Sequence, residues 1–248
     1  MKAIHPLHKT ADPNRTFDNY FHQNWEAVDF LKAFCKLGFR NTPRVLITGA
    51  AGNGSSHLLH ATANQLFHLY ENVDLYFCSG EELKQKSPDI TGNSGEMKKL
   101  MRCPYLLIDN VHECFDHNDT LALLNLLITE RLMKTLPVIL SVHQEHLPQL
   151  KKLLPAFDQA LAIETTMPNR QSLYKMLRQF SGAHPEVELP EYLIYFALGK
   201  KFKSTKHLIA FYQMLQRGAR DRQALFGAAC GIMELFVNEQ YKKFKRSE

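Results

Sequence analysis

Residues Gly49 to Ser56 read GAAGNGSS. The glycines fall in the frame G-x-x-x-x-G-K-[ST] of a phosphate-binding loop, with Ser55 where that frame holds lysine. A glycine-rich turn between a strand and a helix points successive backbone N–H groups inward, and the helix N-terminus adds a dipole that favours an anion. Gly49, Gly52 and Gly54 permit a close backbone approach, and Ser56 has a hydroxyl for Mg²⁺. Serine at 55 removes a point charge whose hydrogen bonds are worth about 1.5 to 3 kcal/mol, a ten- to hundredfold loss of affinity. Binding survives such a loss. Fast phosphoryl transfer does not, because lysine neutralises charge that spreads in the transition state. Taken alone, the eight residues fit a purely structural turn equally well.

A second constellation lies further along the chain. LLIDN puts Asp109 at the end of an apolar run, where a carboxylate can hold a magnesium ion, and follows it with Asn110. An acid after Asp109 would orient and deprotonate an attacking water; asparagine orients but cannot take a proton.

The elements that would position these residues alternate. Trp25 to Gly38 spaces its apolar residues as a helix does, RVLITG from Arg44 is a short buried strand, and SHLLHATANQLFHLY opens a helix on Ser56. VDLYFCS from Val73, YLLIDN from Tyr105, PVILSV from Pro137 and ALAIE from Ala160 read as further strands. Helices over EMKKLM and DTLALLNLLITERLMK lie among them. Strands alternating with helices predict a doubly wound, parallel, five-stranded α/β layer. From Met167 the pattern is helical only, with starts marked by Pro168 and Asn169, Pro190, Ser204 and Asp221. The expected organisation is an N-terminal arm over 1–14, an α/β nucleotide-binding-like domain over 15–166, and a helical lid with a basic tail over 167–248.

Composition sets the outer bounds. A chain of 248 residues, 45% hydrophobic, buries a substantial core. No apolar run approaches the roughly 18 residues of a membrane span, and the N-terminus lacks the apolar stretch of a secretory signal, so the expected address is the cytoplasm without a membrane partner. Cys35, Cys78, Cys103, Cys114 and Cys230 are odd in number and scattered, which points to reduced thiols rather than a disulfide framework. The net charge of +5 permits a nucleic-acid partner. Lys200, Lys201, Lys203, Lys206, Arg217, Arg220 and Arg222 make the lid locally basic, with a solvated helical face set against a phosphate-backbone contact. HECFDH at His112 to His117, with His143 and His146, matches no compact metal motif and reads as solvated loop histidines. His57, His60 and His68 share a helix and read as helix-face packing.

With these residues in place, the chain resembles the AAA+ module of the bacterial replication initiator DnaA, and more closely the short regulatory relatives of the Hda type. TFDNYF at Thr16 to Phe21 is similar to the family's opening box beside the adenine, GAAGNGSSHLLHA to its phosphate loop, and LLIDNV to its magnesium strand. The similarity runs from about Arg15 to about Arg220. It implies an AAA+ P-loop NTPase-type fold and a nucleotide set of Phe17, Gly49, Gly52, Asn53, Gly54, Ser55, Ser56, His57, Asp109, Asn110 and Lys206. Ser56 and Asp109 would hold the metal. The cofactor so implied is ADP or ATP with Mg²⁺, weakly bound. In the same alignment Ser141 to His143 occupy the strand end that senses the γ phosphate, and Lys206 sits where the lid usually supplies arginine.

Two departures shape the functional expectation. Where the family inserts an arginine into its neighbour's nucleotide, this chain has Pro155, Ala156 and Phe157, and MKAIHPLHK lacks the glutamine of the relatives' sliding-clamp peptide. The expected protein is therefore not a working enzyme but a degenerate ATPase. It would regulate replication initiation by binding a DnaA-like AAA+ partner, with clamp binding unsupported. Two alternatives stand beside it. One is a DNA-binding accessory or helicase-loading factor that grips phosphates through Lys200, Lys201 and Lys203. The other is a slow ATPase that recruits Lys206.

Overall fold

The computed structural model describes residues 11–20, 25–39, 44–70 and 73–183, with single positions of a later helical stretch at 194, 198, 205, 207, 208, 210 and 211. The chain divides into two compact units, Met1–Met167 and Pro168–Glu248.

In the first unit five strands, β1 (Arg44–Gly49), β2 (Leu75–Ser79), β3 (Tyr105–Asp109), β4 (Val138–His143) and β5 (Leu161–Thr165), form one sheet. Its order is β2-β3-β4-β1-β5 and every pairing is parallel. Parallel neighbours need long crossovers, and helices supply them: α2 (Ser55–Leu69), α3 (Gly80–Gly92), α4 (Ser94–Arg102), α5 (Asn118–Met133) and α6 (Leu147–Leu153), while α1 (Trp25–Leu37) precedes β1. This is the α/β doubly wound sheet expected from the alternation.

Side chains alternate across the strands, so the sheet has two cores. On one face Leu46, Cys78, Leu106, Ile108 and Leu140 pack with Leu83 of α3 and Leu124 and Ile128 of α5. On the other, Val45, Ile47, Phe77, Leu107 and Ile139 pack with Leu31 of α1 and Leu58, Leu59 and Leu66 of α2. Strands covered on both faces read as continuous apolar runs, which is why LLID and VILSV were legible as strands.

The structure departs from the sequence reading at particular places. Strand β2 begins at Leu75 rather than Val73, and α2 one residue early, at Ser55. Helix α3 is an element the periodicity does not reveal, since it is polar and carries Pro88. Its start is fixed by a capping box in which the Glu82 N–H donates to Ser79 Oγ (3.1 Å) and the Ser79 N–H donates to Glu82 Oε2 (2.9 Å). Cys35, Cys78 and Cys114 are buried thiols and Cys103 a partly buried one; burial pushes Cys35 and Cys114 up to about 12. Cys230 lies outside the described residues.

Arg131 on α5 is fully buried, and among the described residues no carboxylate faces it. Its guanidinium donates instead to the carbonyls of Leu100 (2.7 Å), Cys103 (2.8 Å), Pro104 (3.2 Å) and Pro137 (2.9 Å). The planar fork thus ties the end of α4 to the entries of β3 and β4.

In the second unit, α7 (Arg170–Ala183) starts where Asn169 Oδ1 accepts the Ser172 N–H at 2.8 Å. It buries Met176 and Leu177. Lys200, Lys201, Lys203 and Lys206 lie outside the described residues, as do the later lid starts and the basic tail.

Candidate functional site

The loop after β1 is shaped by its glycines. Gly52 (φ 82°) and Gly54 (φ 93°) take left-handed backbone that a side chain would strain. A Cβ at Gly49 would sit 2.6 Å from the Thr165 carbonyl oxygen, so this glycine admits the close approach of β5. The loop closes on itself through the Asn53 N–H, which donates to the Ala50 carbonyl at 3.0 Å. Gly54 is the N-cap of α2 and has no side chain to cap it. The first-turn N–H groups of α2 therefore lack a cap from that position, and no acidic side chain stands in that turn. A helix N-terminus without a side-chain cap favours an anion through its dipole and its first N–H groups. Ser55 is buried, Ser56 half-buried, and Asn53 Oδ1 is buried without a hydrogen-bond partner.

Sheet order brings the second constellation to the same edge, because β4 lies between β1 and β3. Asp109 ends β3 and is 8% exposed. Ser141 Oγ donates to Asp109 Oδ1 at 2.5 Å and accepts the Asn110 N–H at 2.7 Å. Asn110 takes the left-handed region (φ 50°, ψ 51°), which asparagine tolerates better than most residues. The turn is pressed against α3: a Cβ at Gly80 would lie 2.5 Å from the Asn110 carbonyl oxygen. Asn110 Oδ1 is buried without a hydrogen-bond partner. The structure so brings together Asp109, Asn110 and Ser141 at the carboxyl ends of neighbouring strands.

Phe17 and His57 stand apart from this arrangement. Phe17 is 4% exposed and packs in the core between α1 and α2. His57 Nε2 donates to the Thr16 carbonyl at 2.9 Å, a direction fixed because a carbonyl only accepts. On the same helix the Asp12 N–H donates to His60 Nδ1 (3.0 Å), and Asn64 Nδ2 donates to the carbonyls of Asp12 and Arg15 (2.8 Å each). His57, His60 and Asn64 form a rail at helical spacing that straps residues 12–16 along α2. The helix-face reading fits His57 and His60, and Asn64 is a member of the rail that periodicity does not single out.

The segment 155–157 is a 3-10 turn with Phe157 in the core. The Ala156 carbonyl accepts from Arg44 at 2.8 Å. Arg44 opens β1, so this segment lies at the end of that strand away from the glycine-rich loop.

The reading of His112, His143 and His146 as solvated loop residues is corrected. All three are half-buried and form one cluster, with a ring nitrogen of each within 4.8 Å of the others. They converge because β3 and β4 are adjacent and parallel, so the turns that follow them meet although their sequences are far apart. His117, by contrast, caps α5: the Thr120 N–H donates to its Nδ1 at 3.3 Å.

No protein-family model and no curated protein matches the chain. Solved structures do match. A DNA replication initiation factor is 16% identical, with a TM-score of 0.73 over 86% of this chain and 67% of that one. The replication initiator DnaA bound to AMPPCP and single-stranded DNA is 16% identical, with a TM-score of 0.70 over 84% of this chain and 66% of that one. Domain III of the Thermotoga maritima replication initiation protein DnaA is 18% identical, with a TM-score of 0.70 over 89% of this chain and 97% of that domain. The chain spans about two thirds of the length of the first two. These likenesses establish the fold, an α/β AAA+ fold of the kind found in DnaA. Among the described residues no helix is long and apolar enough to cross a membrane.

Proposed function

We propose that the chain is a catalytically degenerate AAA+ protein of the DnaA and Hda type, which holds ADP or ATP without hydrolysing it and regulates replication initiation by docking on an AAA+ partner. The observation that carries this reading is the pairing of an intact cradle with missing charges. Gly52 and Gly54 shape the loop and α2 begins uncapped, yet Ser55 and Asn110 stand where catalysis needs a cation and an acid.

The residues present fit a nucleotide with Mg²⁺. Backbone N–H groups from Gly52 to Ser56 would take the phosphates, and the Ser56 hydroxyl with Asp109 would hold the metal. The buried Asn53 and Asn110 amide oxygens, which have no hydrogen-bond partner, fit a site completed by a ligand and its waters. A bound Mg²⁺–nucleotide supplies the charge that the cradle accepts. On this chain's side, Ser141 orients Asp109 and the turn at Asn110. DnaA structures that bind AMPPCP support the nucleotide assignment by analogy of fold alone.

Docking needs an exposed face. The surface proposed for it surrounds the phosphate loop, whose Ala50 and Ala51 are exposed. A pull-down of the cognate initiator tests it: Ala51→Glu should abolish capture, and reversal of Lys200, Lys201 and Lys203 to Glu should leave it unchanged. Capture lost with the lysine reversal and kept with Ala51→Glu would instead favour the basic lid. A salt-sensitive gel shift by the chain alone would then assign that lid to DNA.

A further inference from the structure

Beyond Asp109, Asn110 and Ser141, the carboxyl ends of β3 and β4 hold a second group of side chains. His112 lies in the 3-10 turn after Asn110, His143 ends β4, and His146 closes the following turn. The His112 ring is the middle member, its centroid 4.3 Å from that of His143 and 4.5 Å from that of His146. His112 Nδ1 is buried without a hydrogen-bond partner, a costly state for a polar atom unless something else occupies it. Glu145 adds a carboxylate to the group. Its Oε1 is 3.6 Å from His146 Nε2 and 4.0 Å from His143 Nδ1.

We propose that His112, His143 and His146, with Glu145 as the fourth donor, bind a divalent transition metal of borderline softness, Zn²⁺ being the ion they suit. Three imidazoles and a carboxylate match the tetrahedral donor sets of zinc, whereas Mg²⁺ and Ca²⁺ require oxygen ligands. Zn–N bonds of about 2.0 to 2.1 Å set ring nitrogens about 3.3 Å apart in a tetrahedron. From their spacing within 4.8 Å the rings close by about 1.5 Å at most and turn out of their stack. The movement is small because His143 and His146 end a strand and a turn, and the Glu145 side chain is 72% exposed. His143 pairs in register with Gly49, and with Glu145 it lines an open pocket beside Ala50 and Ala51. The ion would therefore pin the ends of β3 and β4 together at the flank of the phosphate loop. The proposal does not depend on the nucleotide reading.

The test is a Zn²⁺ titration of the tag-free, chelator-stripped full chain in competition with a chromophoric chelator. One site per chain tighter than about 10 μM is expected, equivalent to about −7 kcal/mol. Loss of an outer-shell partner alone commonly costs 10- to 100-fold, so His112→Asn and His143→Asn should each weaken binding about a hundredfold. His68→Asn, exposed on α2, should not. His146→Asn, on the surface turn, serves if the His112 variant fails to fold. Co²⁺ in place of Zn²⁺ should give the intense visible bands of four-coordination, lost in the same variants. Binding weaker than about 10 μM would overturn the proposal. So would tight binding that persists in both His143→Asn and His146→Asn, which would place the ion elsewhere, for instance on His5 and His8.

Discussion

The Ser141 hydroxyl donates a 2.5 Å hydrogen bond to the Asp109 carboxylate while accepting the Asn110 N–H at 2.7 Å. One side chain from β4 thus fixes both the carboxylate of β3 and the turn that follows it. Ser141→Ala removes a donor and an acceptor from buried partners and should cost about 1 to 3 kcal/mol. Urea denaturation would register this as a lower midpoint with an unchanged slope.

The strap on α2 predicts a pH dependence. Burial, opposed in part by the bond to Thr16, holds the His57 pKa below its ordinary 6.5, with Arg15 lowering it further and Asp12 raising it. A base with a depressed pKa is neutral when folded, so below about 6.5 the unfolded chain binds more protons and stability falls with falling pH. His57→Gln can still donate to the Thr16 carbonyl and does not titrate. Thermal melts between about pH 7 and pH 5 should show a steeper decline for the native chain than for the variant.

Arg131 is the clearest structural residue in the molecule. Arg131→Met keeps the apolar stem but leaves the carbonyls of Leu100, Cys103, Pro104 and Pro137 without their donor, and should destabilise by about 3 to 5 kcal/mol. Arg131→Lys should rescue little, because an ammonium cannot span four acceptors in one plane. Equilibrium unfolding of the two variants checks both statements.

The parts of the fold and site that could be read in advance are those encoded locally. Gly49, Gly52 and Gly54 announce a tight turn through their type, and the strand cores of β1, β3 and β4 through continuous apolar runs. Helix α3 was hidden by its polarity and Pro88, although Ser79 and Glu82 held a readable capping box. The placement of Phe17 in the core depends on how 12–16 is strapped to His57, His60 and Asn64, a tertiary fact with no local signal. The histidine cluster was illegible for the same reason. Its members come from the end of β4 and from the turns that follow β3 and β4, two strands whose adjacency only the sheet order reveals.

Placing a cation at position 55 separates binding from chemistry. Ser55→Lys should tighten ADP and ATP by about tenfold, the value of one charge-assisted contact, without restoring hydrolysis while Asn110 remains. Calorimetric titration of the variant against the native chain reads the first effect, and phosphate release the second. Equal affinities would reduce the loop to a structural turn.

The central claim, that this site holds nucleotide without cleaving it, is tested most directly by incubating the isolated chain with radiolabelled ATP and Mg²⁺. Both the nucleotide retained on the protein and the fraction converted to ADP are then measured. The account predicts saturable retention of about one nucleotide per chain, with turnover well below about one per minute. No retention at saturating nucleotide, or turnover at or above that rate, would contradict it.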